Sequence, residues 1–384
     1  MLGRIEKPVY VTGVAESPLG NVTDQSELSM VALAASEALA EAGLSLEDID
    51  GVFSTYMGDC SSVHVAEYLG ISPRYADSTN LGGASFEAFL HHAVIAVSAG
   101  RCAVALVAYA SRQRSRRSRR AALTVDASLA GQFEAPHGLQ RPIGYYALSA
   151  ARHMHQYGVT LEQLSEVAVA ARRWAQLNEK AWRREPLTIE DVMQSPMVSD
   201  PLRKADCCLI TDGGGALIVT TRERARDAAK RPIRILGAGE CHMQWHISQS
   251  PDLTVTPAAV SGREAFGMAG VTPRDIDVFE PYDNFTHSVI LQLEDLGFCA
   301  KGEGGAFIEG GALGPGGTLP SMTSGGGLSY CHPGALGLLL VVEAVRQLRG
   351  ECGERQVANA RLALAHGVGG AAYSTGATVI LARE

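Results

Sequence analysis

The feature that most constrains the fold of this chain is an internal sequence repeat. Residues 46–53 read LEDIDGVF and residues 273–279 read PRDIDVF, and each segment follows a predicted helix and leads into a predicted strand. Each is also followed by a glycine-rich turn, a helix and an apolar strand, over residues 82–109 and 325–364. A repeated segment with a matching order of elements behind it is typical of duplication. The sequence therefore predicts two similar halves.

Short β-rich apolar runs alternate with longer helical patterns in both halves, which favours an α/β fold with helices covering a sheet. The first half is expected to place strands at residues 8–14, 50–54, 102–109 and 207–219, and helices at residues 27–42 and 84–99. The residue composition changes at Ser111. Six arginines occur between Arg112 and Arg120, and two helical patterns follow them. We interpret this stretch as an inserted helical subdomain.

Composition limits the classes of function. Hydrophobic residues make up 46% of the 384 positions and charged residues 19%, as in globular proteins. A net charge of −8 argues against a nucleic-acid binder. The eight cysteines lack the CxxC spacing of zinc sites, so we expect no metal and no disulfide framework. Without an apolar leader or a run long enough to span a bilayer, we expect a cytoplasmic protein with no membrane association.

Four segments of the chain resemble motifs of the thiolase superfamily. Residues 280–285 (EPYDNF) resemble the E-x-H-D-x-F segment of sterol-carrier-protein thiolases, and residues 326–335 (GGLSYCHPGA) resemble their G-H-P turn. Residues 366–371 (HGVGGA) stand where the family has its last active-site loop, and residues 202–214 match the segment that closes the first half. The resemblance covers nearly the whole chain.

This resemblance implies the thiolase fold: two duplicated α/β halves form a five-layered αβαβα core, and a loop domain is inserted in the first half. Under this assignment residues 1–111 and 201–225 form the N-terminal half. Residues 112–200 form the insertion, and residues 226–384 form the C-terminal half.

The departures from the family pattern carry the functional information. In thiolases a cysteine at the start of the first-half helix forms an acyl-enzyme, and here Gly82 is expected at that position. The nearest hydroxyl, Ser85, lies a turn further along. The second family cysteine matches His366, and Tyr282 replaces the motif histidine. A condensation through an acyl-cysteine is therefore not expected, and the missing side chain is expected to leave room for a branched β-carbon.

The same substitutions resemble one branch, the thiolase-like aldolases of bacterial steroid side-chain degradation, once called lipid-transfer proteins. That branch carries Tyr-Asp-Asn-Phe and Ser-Tyr-Cys-His-Pro-Gly, found here at residues 282–285 and 329–334. The resemblance implies retro-aldol cleavage of a β-hydroxyacyl-CoA with a tertiary alcohol into a ketone and a short acyl-CoA such as propionyl-CoA. It also implies a homodimer and a small hydratase or zinc-ribbon/OB-fold partner, with CoA entering only as part of the substrate.

Retro-aldol cleavage needs a base for the β-hydroxyl, donors for the enolate and an acid for the α-carbon. His332 is the expected enolate donor, because the equivalent thiolase histidine binds the thioester oxygen and preorganised donors contribute strongly. Tyr282 and Tyr330, the branch's functional tyrosines, are candidate acid and base in either order. The alternative is that both hydroxyls satisfy local backbone groups. His366 is either a second donor or proton relay, or a filler of the space left by the family's cysteine.

Several other polar residues receive a structural interpretation. Asp283 is expected to cap the helix that follows it, since aspartate is a strong N-cap residue; the alternative is that it orients Tyr282 or a water. Cys207 and Cys208 are expected in a buried strand as core residues. For Cys331, a role as a nucleophile is a minor alternative. The arginines from 112 to 120 are interpreted mainly as a solvated charged loop. The alternatives are that they bind the CoA phosphates or dock a partner protein.

Two rival functions remain open at this level. A thiolase-like subunit without catalytic activity would bind acyl-CoA or lipid, or scaffold a partner, without turnover. A condensing enzyme of the thiolase or ketosynthase type would require a covalent acyl-enzyme, which the glycine at the nucleophile position opposes.

Overall fold

The computed structural model describes residues 7–116, 128–139 and 142–384. Its strands in chain order are β1 (Val9–Glu16), β2 (Gly51–Phe53), β3 (Tyr75–Asp77), β4 (Val104–Arg112), β5 (Met197–Ser199), β6 (Leu202–Arg203), β7 (Asp212–Thr221), β8 (Ile233–His242), β9 (Val278–Pro281), β10 (Leu362–Gly369) and β11 (Thr375–Ala382). Its helices are α1 (Glu27–Ala42), α2 (Ser61–Leu69), α3 (Ser85–Ser98), α4 (Leu129–Phe133), α5 (Ile143–Tyr157), α6 (Leu161–Gln176), α7 (Ile189–Gln194), α8 (Arg222–Ala225), α9 (Ala258–Ala269), α10 (Thr286–Asp295), α11 (Gly304–Ile308) and α12 (Gly337–Arg349).

The strand pairing confirms the predicted duplication. Nine strands form one sheet in the order β3-β2-β4-β7-β1-β8-β11-β10-β9, and β5 pairs with β6 separately. In the first half β2 runs parallel to β4, β4 antiparallel to β7, and β7 antiparallel to β1. In the second half β9, β10, β11 and β8 repeat the same pairings in the same order. The halves meet where β1 and β8 pair antiparallel.

Helix packing gives the five layers that the thiolase resemblance implied, with the strands of the first half and the strands of the second half as the two strand layers. Helix α1 covers β1, β4 and β7 on the outside of the first half, and α9 covers β8 and β11 on the outside of the second. Helices α3 and α12 both contact strands of both halves, so they form the central layer. Both are largely buried; α12 buries the run Leu338, Leu339, Leu340, Val341 and Val342. It also buries Glu343 and Gln347, which are hydrogen-bonded to each other, as buried polar side chains normally are.

The inserted region lies between β4 and β7 and contains α4 to α7 and the β5–β6 pair. Thr160 begins α6 with a reciprocal capping box to Gln163, which satisfies two backbone donors at the helix start. Helix α6 packs against the second half at α10, α11 and the tight turn Gly326–Tyr330. The insertion therefore covers the second half; the domain boundaries assigned from the sequence stay predictions.

One strand expectation was wrong in its start. The run predicted as a strand from residue 207 becomes β7 only at Asp212. Its first residues bind the second half instead, because the Cys208 amide donates to the Asn284 carbonyl at 2.9 Å and the Leu209 amide to Gly327 at 2.8 Å. Both cysteines are consequently partly exposed loop residues, and the prediction that they lie in a buried strand was wrong.

Among the helices that the structure describes, none combines the length and the apolar character needed to cross a membrane.

Candidate active site

Tyr282 follows directly on β9, and its ring extends to the start of α3 in the central layer. A Cβ built on Gly83 would lie 2.3 Å from the Tyr282 hydroxyl oxygen. That oxygen accepts a hydrogen bond from the Leu336 amide, 3.2 Å away, at the N-terminus of α12. Burial raises the pKa of Tyr282 well above its usual value, so the phenol is protonated at neutral pH. Because Leu336 donates, the tyrosine keeps its own proton free for another acceptor.

Gly83, one residue after the position expected from the sequence, faces this tyrosine. Gly82 has a left-handed φ of +67°, and a Cβ there would lie 2.4 Å from the Gly370 amide nitrogen. The last glycine-rich loop therefore fills the space beside Gly82, and the expectation of free room there was wrong. Ser85 donates to the Gly82 carbonyl at 2.7 Å and accepts from the Leu81 amide at 2.9 Å. Its hydroxyl therefore stabilises the turn at residues 81–85.

His332 lies beside Tyr282, with ring centroids 5.7 Å apart and ring planes at 85°. Two backbone contacts with Thr211 hold it: the His332 amide donates to the threonine hydroxyl at 2.9 Å, and its carbonyl accepts from the threonine amide at 3.2 Å. Burial lowers the pKa of His332 to about 4, so the ring is neutral. Its Nε2 is buried without a hydrogen-bond partner among the described residues. Buried polar atoms are normally satisfied, so this nitrogen is available to a ligand.

Asp283 anchors the turn that carries His332. Its carboxylate oxygens accept from the Gly327 amide at 2.6 Å and the Leu328 amide at 3.0 Å. A Cβ on Gly327 would lie 3.0 Å from His332 Cδ2 and 3.1 Å from Asp283 Oδ1, so carboxylate and imidazole are close neighbours. Burial raises the pKa of Asp283 to about 6. The expected helix cap was wrong: α10 begins at Thr286, and the carboxylate accepts one amide of the turn on each oxygen instead of binding the helix start.

Tyr330 is directed elsewhere. Its hydroxyl donates to Glu16 at the end of β1. Glu16 also pairs with Arg346 at 2.8 Å and Lys180 at 2.5 Å. Arg346 lies about 15 Å further along α12 than the residue that binds Tyr282. The two tyrosine hydroxyls therefore bind different partners, the Leu336 amide and the Glu16 carboxylate.

The charges around Glu16 also fix the state of Tyr330. Although burial raises it, the pKa of Glu16 falls to about 2 because of the Arg346 and Lys180 charges. Burial and the neighbouring Glu16 carboxylate raise the pKa of Tyr330 well above its usual value. The phenol stays protonated, and it donates its hydrogen bond to the carboxylate.

His366 lies on the opposite face of the sheet from α3. Its Nδ1 is 2.8 Å from the Thr378 hydroxyl, which is 2.9 Å from Ser261 on the outer helix α9. Its neighbour Gly367 faces inward, since a Cβ there would lie 2.7 Å from the Ala84 Cα, and side chains alternate along a strand. Burial lowers the pKa of His366 to about 3. The structure does not bring His366 to Tyr282.

Three neighbours of Tyr282 were not found from the sequence as site residues. Cys208, Tyr146 and Tyr56 are all close enough to raise the pKa of the Tyr282 phenol further. Tyr146, on α5 of the insertion, packs against Phe285 with ring centroids 4.6 Å apart. No local pattern marks these residues. Only the YDNF segment, which supplies Phe285, hints that an aromatic cluster forms here.

Residues 239–383 match the family model described as thiolase C-terminal domain-like. The chain is 37% identical over 358 residues to the 17-hydroxy-3-oxo-4-pregnene-20-carboxyl-CoA lyase of Mycobacterium tuberculosis, covering 88% of this chain and 91% of that one. It is 34% identical over 376 residues to an acetyl-CoA acetyltransferase of Methanothermobacter thermautotrophicus, covering 95% and 97%. A solved structure named Ltp2-ChsH2(DUF35) aldolase superimposes with a TM-score of 0.89 at 32% identity, covering 98% of both chains.

The chain belongs to the thiolase superfamily. Its similarity to a named steroid side-chain lyase and to a solved aldolase places it in the thiolase-like aldolase branch that the sequence motifs predicted. Both the thiolase fold and this branch are thereby confirmed.

For a thiolase-superfamily member, the state of the cysteines near the site is decisive. The Cys331 thiol lies 3.1 Å from the Thr211 hydroxyl, and burial raises its pKa to about 12. Burial and Asp283 raise the pKa of Cys208 as well. Thiolates are the nucleophilic form, so neither cysteine is activated. Among the described residues no group of three or more His, Cys, Asp or Glu is arranged to hold a metal ion.

The arginine run is only partly described. Arg112 donates to the Val22 carbonyl at 3.1 Å, Arg114 stacks 4.6 Å over the Trp182 ring, and Arg116 pairs with Glu27 at 2.9 Å. These three side chains are thus tied to local partners. The other members of the run, Arg117, Arg119 and Arg120, lie outside the described residues.

Proposed function

We propose that this protein is a retro-aldolase that cleaves a β-hydroxyacyl-CoA bearing a tertiary alcohol. One observation carries this proposal: the Tyr282 hydroxyl occupies the space into which a side chain at Gly83 would project. Tyr282 therefore offers a proton donor at the start of α3, one residue from the position expected for the thiolase nucleophile. Cleavage by proton transfer needs no acyl-enzyme.

The substrate class follows from the named relative. That lyase is named for a steroid thioester with a 17-hydroxyl group and a 20-carboxyl-CoA. Retro-aldol cleavage of such a compound breaks the bond between carbons 17 and 20, and it releases a 17-ketone and propionyl-CoA. We propose a steroidal thioester of this kind for the present chain, with CoA entering only as part of the substrate.

His332 is the proposed enolate donor. A neutral imidazole with an unpartnered, buried Nε2 can donate to the thioester oxygen without first breaking another hydrogen bond. Negative charge develops on that oxygen as the carbon–carbon bond breaks. A fixed donor in a buried site stabilises that charge at little cost in reorganisation.

Tyr282 is the proposed acid. Its proton is free because the hydroxyl accepts from the Leu336 amide, and it can be delivered to the α-carbon of the enolate. The phenolate left behind faces the N-terminus of the long helix α12, where the helix dipole and the same amide favour negative charge. The sequence left the order of acid and base open, and this hydrogen bond favours Tyr282 as the acid.

Asp283 is the proposed base for the β-hydroxyl. It adjoins the His332 ring, and its pKa of about 6 suits proton transfer near neutral pH. Because the carboxylate form is the active one, kcat/KM is expected to fall as the pH drops through about 6. A pH–rate profile measures this, and a flat profile between pH 5 and 8 would argue for another base.

Tyr330 then acts as a positioning residue that ties the His332 turn to β1 through Glu16. His366, which faces α9, is proposed to fill space in the sheet rather than to relay protons.

We also propose a homodimer and a small hydratase or zinc-ribbon/OB-fold partner. The name of the solved aldolase, which carries two components, supports such a partner. A cytoplasmic location fits a CoA-thioester substrate and eight free cysteines.

The decisive test incubates the protein, alone and with the proteins encoded beside it, with branched β-hydroxyacyl-CoAs. Released ketone and shortened acyl-CoA are measured by mass spectrometry. The expected result is equimolar ketone and acyl-CoA with no change in the intact mass of the protein. Tight acyl-CoA binding without turnover, partner included, would identify a catalytically silent subunit instead. A stable acyl adduct would identify a condensing enzyme.

A further inference from the structure

A cleft lies beside the segment that carries His332, on the side of the first half. This cleft has a volume of about 590 Å³ and opens between the start of α1, the segment after β2 and the end of β4. It takes in Leu28 from the start of α1, Tyr56 and Met57 after β2, and Tyr109 from β4. Its size lies within the range of small-molecule sites, which span roughly 300–1,000 Å³.

Two contacts connect the cleft to the reacting groups. Tyr109, which lines the cleft, donates to the Pro333 carbonyl at 2.7 Å, and Gly334 lines it directly. These two residues follow His332, the proposed enolate donor. Tyr56 packs edge-on against Tyr109, with ring centroids 6.0 Å apart, and it is close enough to influence the Tyr282 phenol. The cleft therefore lies against the residues that directly follow His332, while His332 and Tyr282 themselves lie outside its lining.

The lining changes character with depth. Its buried part is aromatic or apolar, with Tyr109 at 2% exposed and Met57 at 7%. The rest of its lining is polar, with Ser26, His64, Ser111 and the Gln113 amide, and with the Arg116 guanidinium paired with Glu27 at 2.9 Å. The buried part accepts a hydrocarbon ring, and amide or guanidinium donors at the exposed end suit a carbonyl acceptor.

We infer that this cleft holds the ketone half of the substrate, a rigid polycyclic skeleton whose distal carbonyl is bound at the rim by Gln113 or Arg116. This inference rests on the proposed function, and it assigns the two halves of the thioester to different parts of the molecule. The β-carbon would lie at Tyr282 and His332, and the ring system would extend past Tyr56 and Tyr109.

The test fills the cleft from its rim. Gln113→Trp places a large ring at an exposed position, so the fold is expected to survive. Leu33→Trp is the matched control, because it adds the same ring to α1 at a residue that is 46% exposed and does not line the cleft. Binding of androst-4-ene-3,17-dione, the ketone that retro-aldol cleavage would release, is measured by calorimetry for the unaltered protein and both variants.

The expected result is that Gln113→Trp weakens ketone binding by about tenfold or more while Leu33→Trp leaves it unchanged. Cleavage of a small β-hydroxyacyl-CoA, with only methyl groups on its tertiary carbon, should stay within about twofold in Leu33→Trp. Equal ketone binding by the unaltered protein and Gln113→Trp, or no binding by either, would overturn the inference. Ketone binding that Gln113→Trp removes, in a protein that cleaves no thioester, would leave the cleft assignment standing and reject the proposed function alone.

Discussion

The surroundings of Tyr282 and of Tyr330 make the most instructive comparison in this molecule. Both tyrosines are buried, and burial raises the pKa of each well above the usual value. Their hydrogen bonds run in opposite directions: Tyr282 accepts from a backbone amide, whereas Tyr330 donates to a carboxylate. Only the first keeps a proton to give. Two residues of one type and equal burial can therefore differ in chemical capacity solely through their partners.

The largest expected effect separates the two tyrosines by activity. Tyr282→Phe should lower kcat by about 10²- to 10⁴-fold, the usual contribution of a positioned acid or base, with little change in KM. Tyr330→Phe should retain kcat within about tenfold, since its hydroxyl does not reach the same point. Steady-state kinetics on a branched β-hydroxyacyl-CoA measures both. Equal losses of kcat in the two variants would contradict the assignment of Tyr282 as the acid and Tyr330 as a positioning residue.

The next effect tests the space in front of Tyr282. Gly83→Ala puts a Cβ within 2.3 Å of the tyrosine hydroxyl, so the ring must move and kcat should fall by about tenfold or more. Gly82→Ala should act mainly on stability, because a left-handed residue with a side chain costs about 1–2 kcal/mol even before its contact with Gly370 is counted. Kinetics and urea denaturation of both variants distinguish these outcomes. A stable, fully active Gly83→Ala protein would contradict the assigned geometry.

A smaller effect concerns the structural side of the comparison. Tyr330→Phe removes a hydrogen bond to the Glu16 carboxylate, and bonds to charged groups contribute about 1.5–3 kcal/mol. Urea denaturation at pH 7 should show a loss of that size. Tyr282→Phe, whose hydroxyl bonds only to an amide, should lose less, and the reverse order would break the comparison.

The pH dependence of stability sharpens the same point. The pKa of Glu16 is lowered from its ordinary 4.5 to about 2 in the folded protein. A lowered carboxyl pKa stabilises the folded state above the unfolded pKa, and this contribution is lost as pH falls from about 4.5 towards 2. Glu16→Gln should flatten the stability profile in that window. If the variant loses as much stability as the unaltered protein when the pH falls through that window, other carboxyls cause the loss.

The smallest expected effect is at Cys208, the cysteine beside Tyr282. Its thiol is protonated at neutral pH, so Cys208→Ser should change kcat by no more than about threefold. Intact-mass spectra after exposure to acyl-CoA should show no adduct in either form. Loss of activity together with loss of an acyl adduct would instead identify Cys208 as a nucleophile.

The sequence by itself determined the architecture. The repeated segment, the alternation of elements and the glycine-rich motifs are linear signals, and they predicted the duplication, the insertion and the family. They also predicted His332 and Tyr282 as candidates, and these two rings do lie together. Local patterns suffice for these features because strand and helix periodicity depends on neighbouring residues along the chain.

Only the tertiary structure decided where the other side chains go. A shift of one residue along a strand or helix start changes the direction of a side chain, which is why Gly83 faces the site in place of Gly82 and why His366 faces α9. The partners of Tyr330 and Asp283 lie far away in sequence, at Glu16 and at the Gly327 and Leu328 amides. Motif spacing carries no record of such contacts, because folding brings these groups together from separate segments.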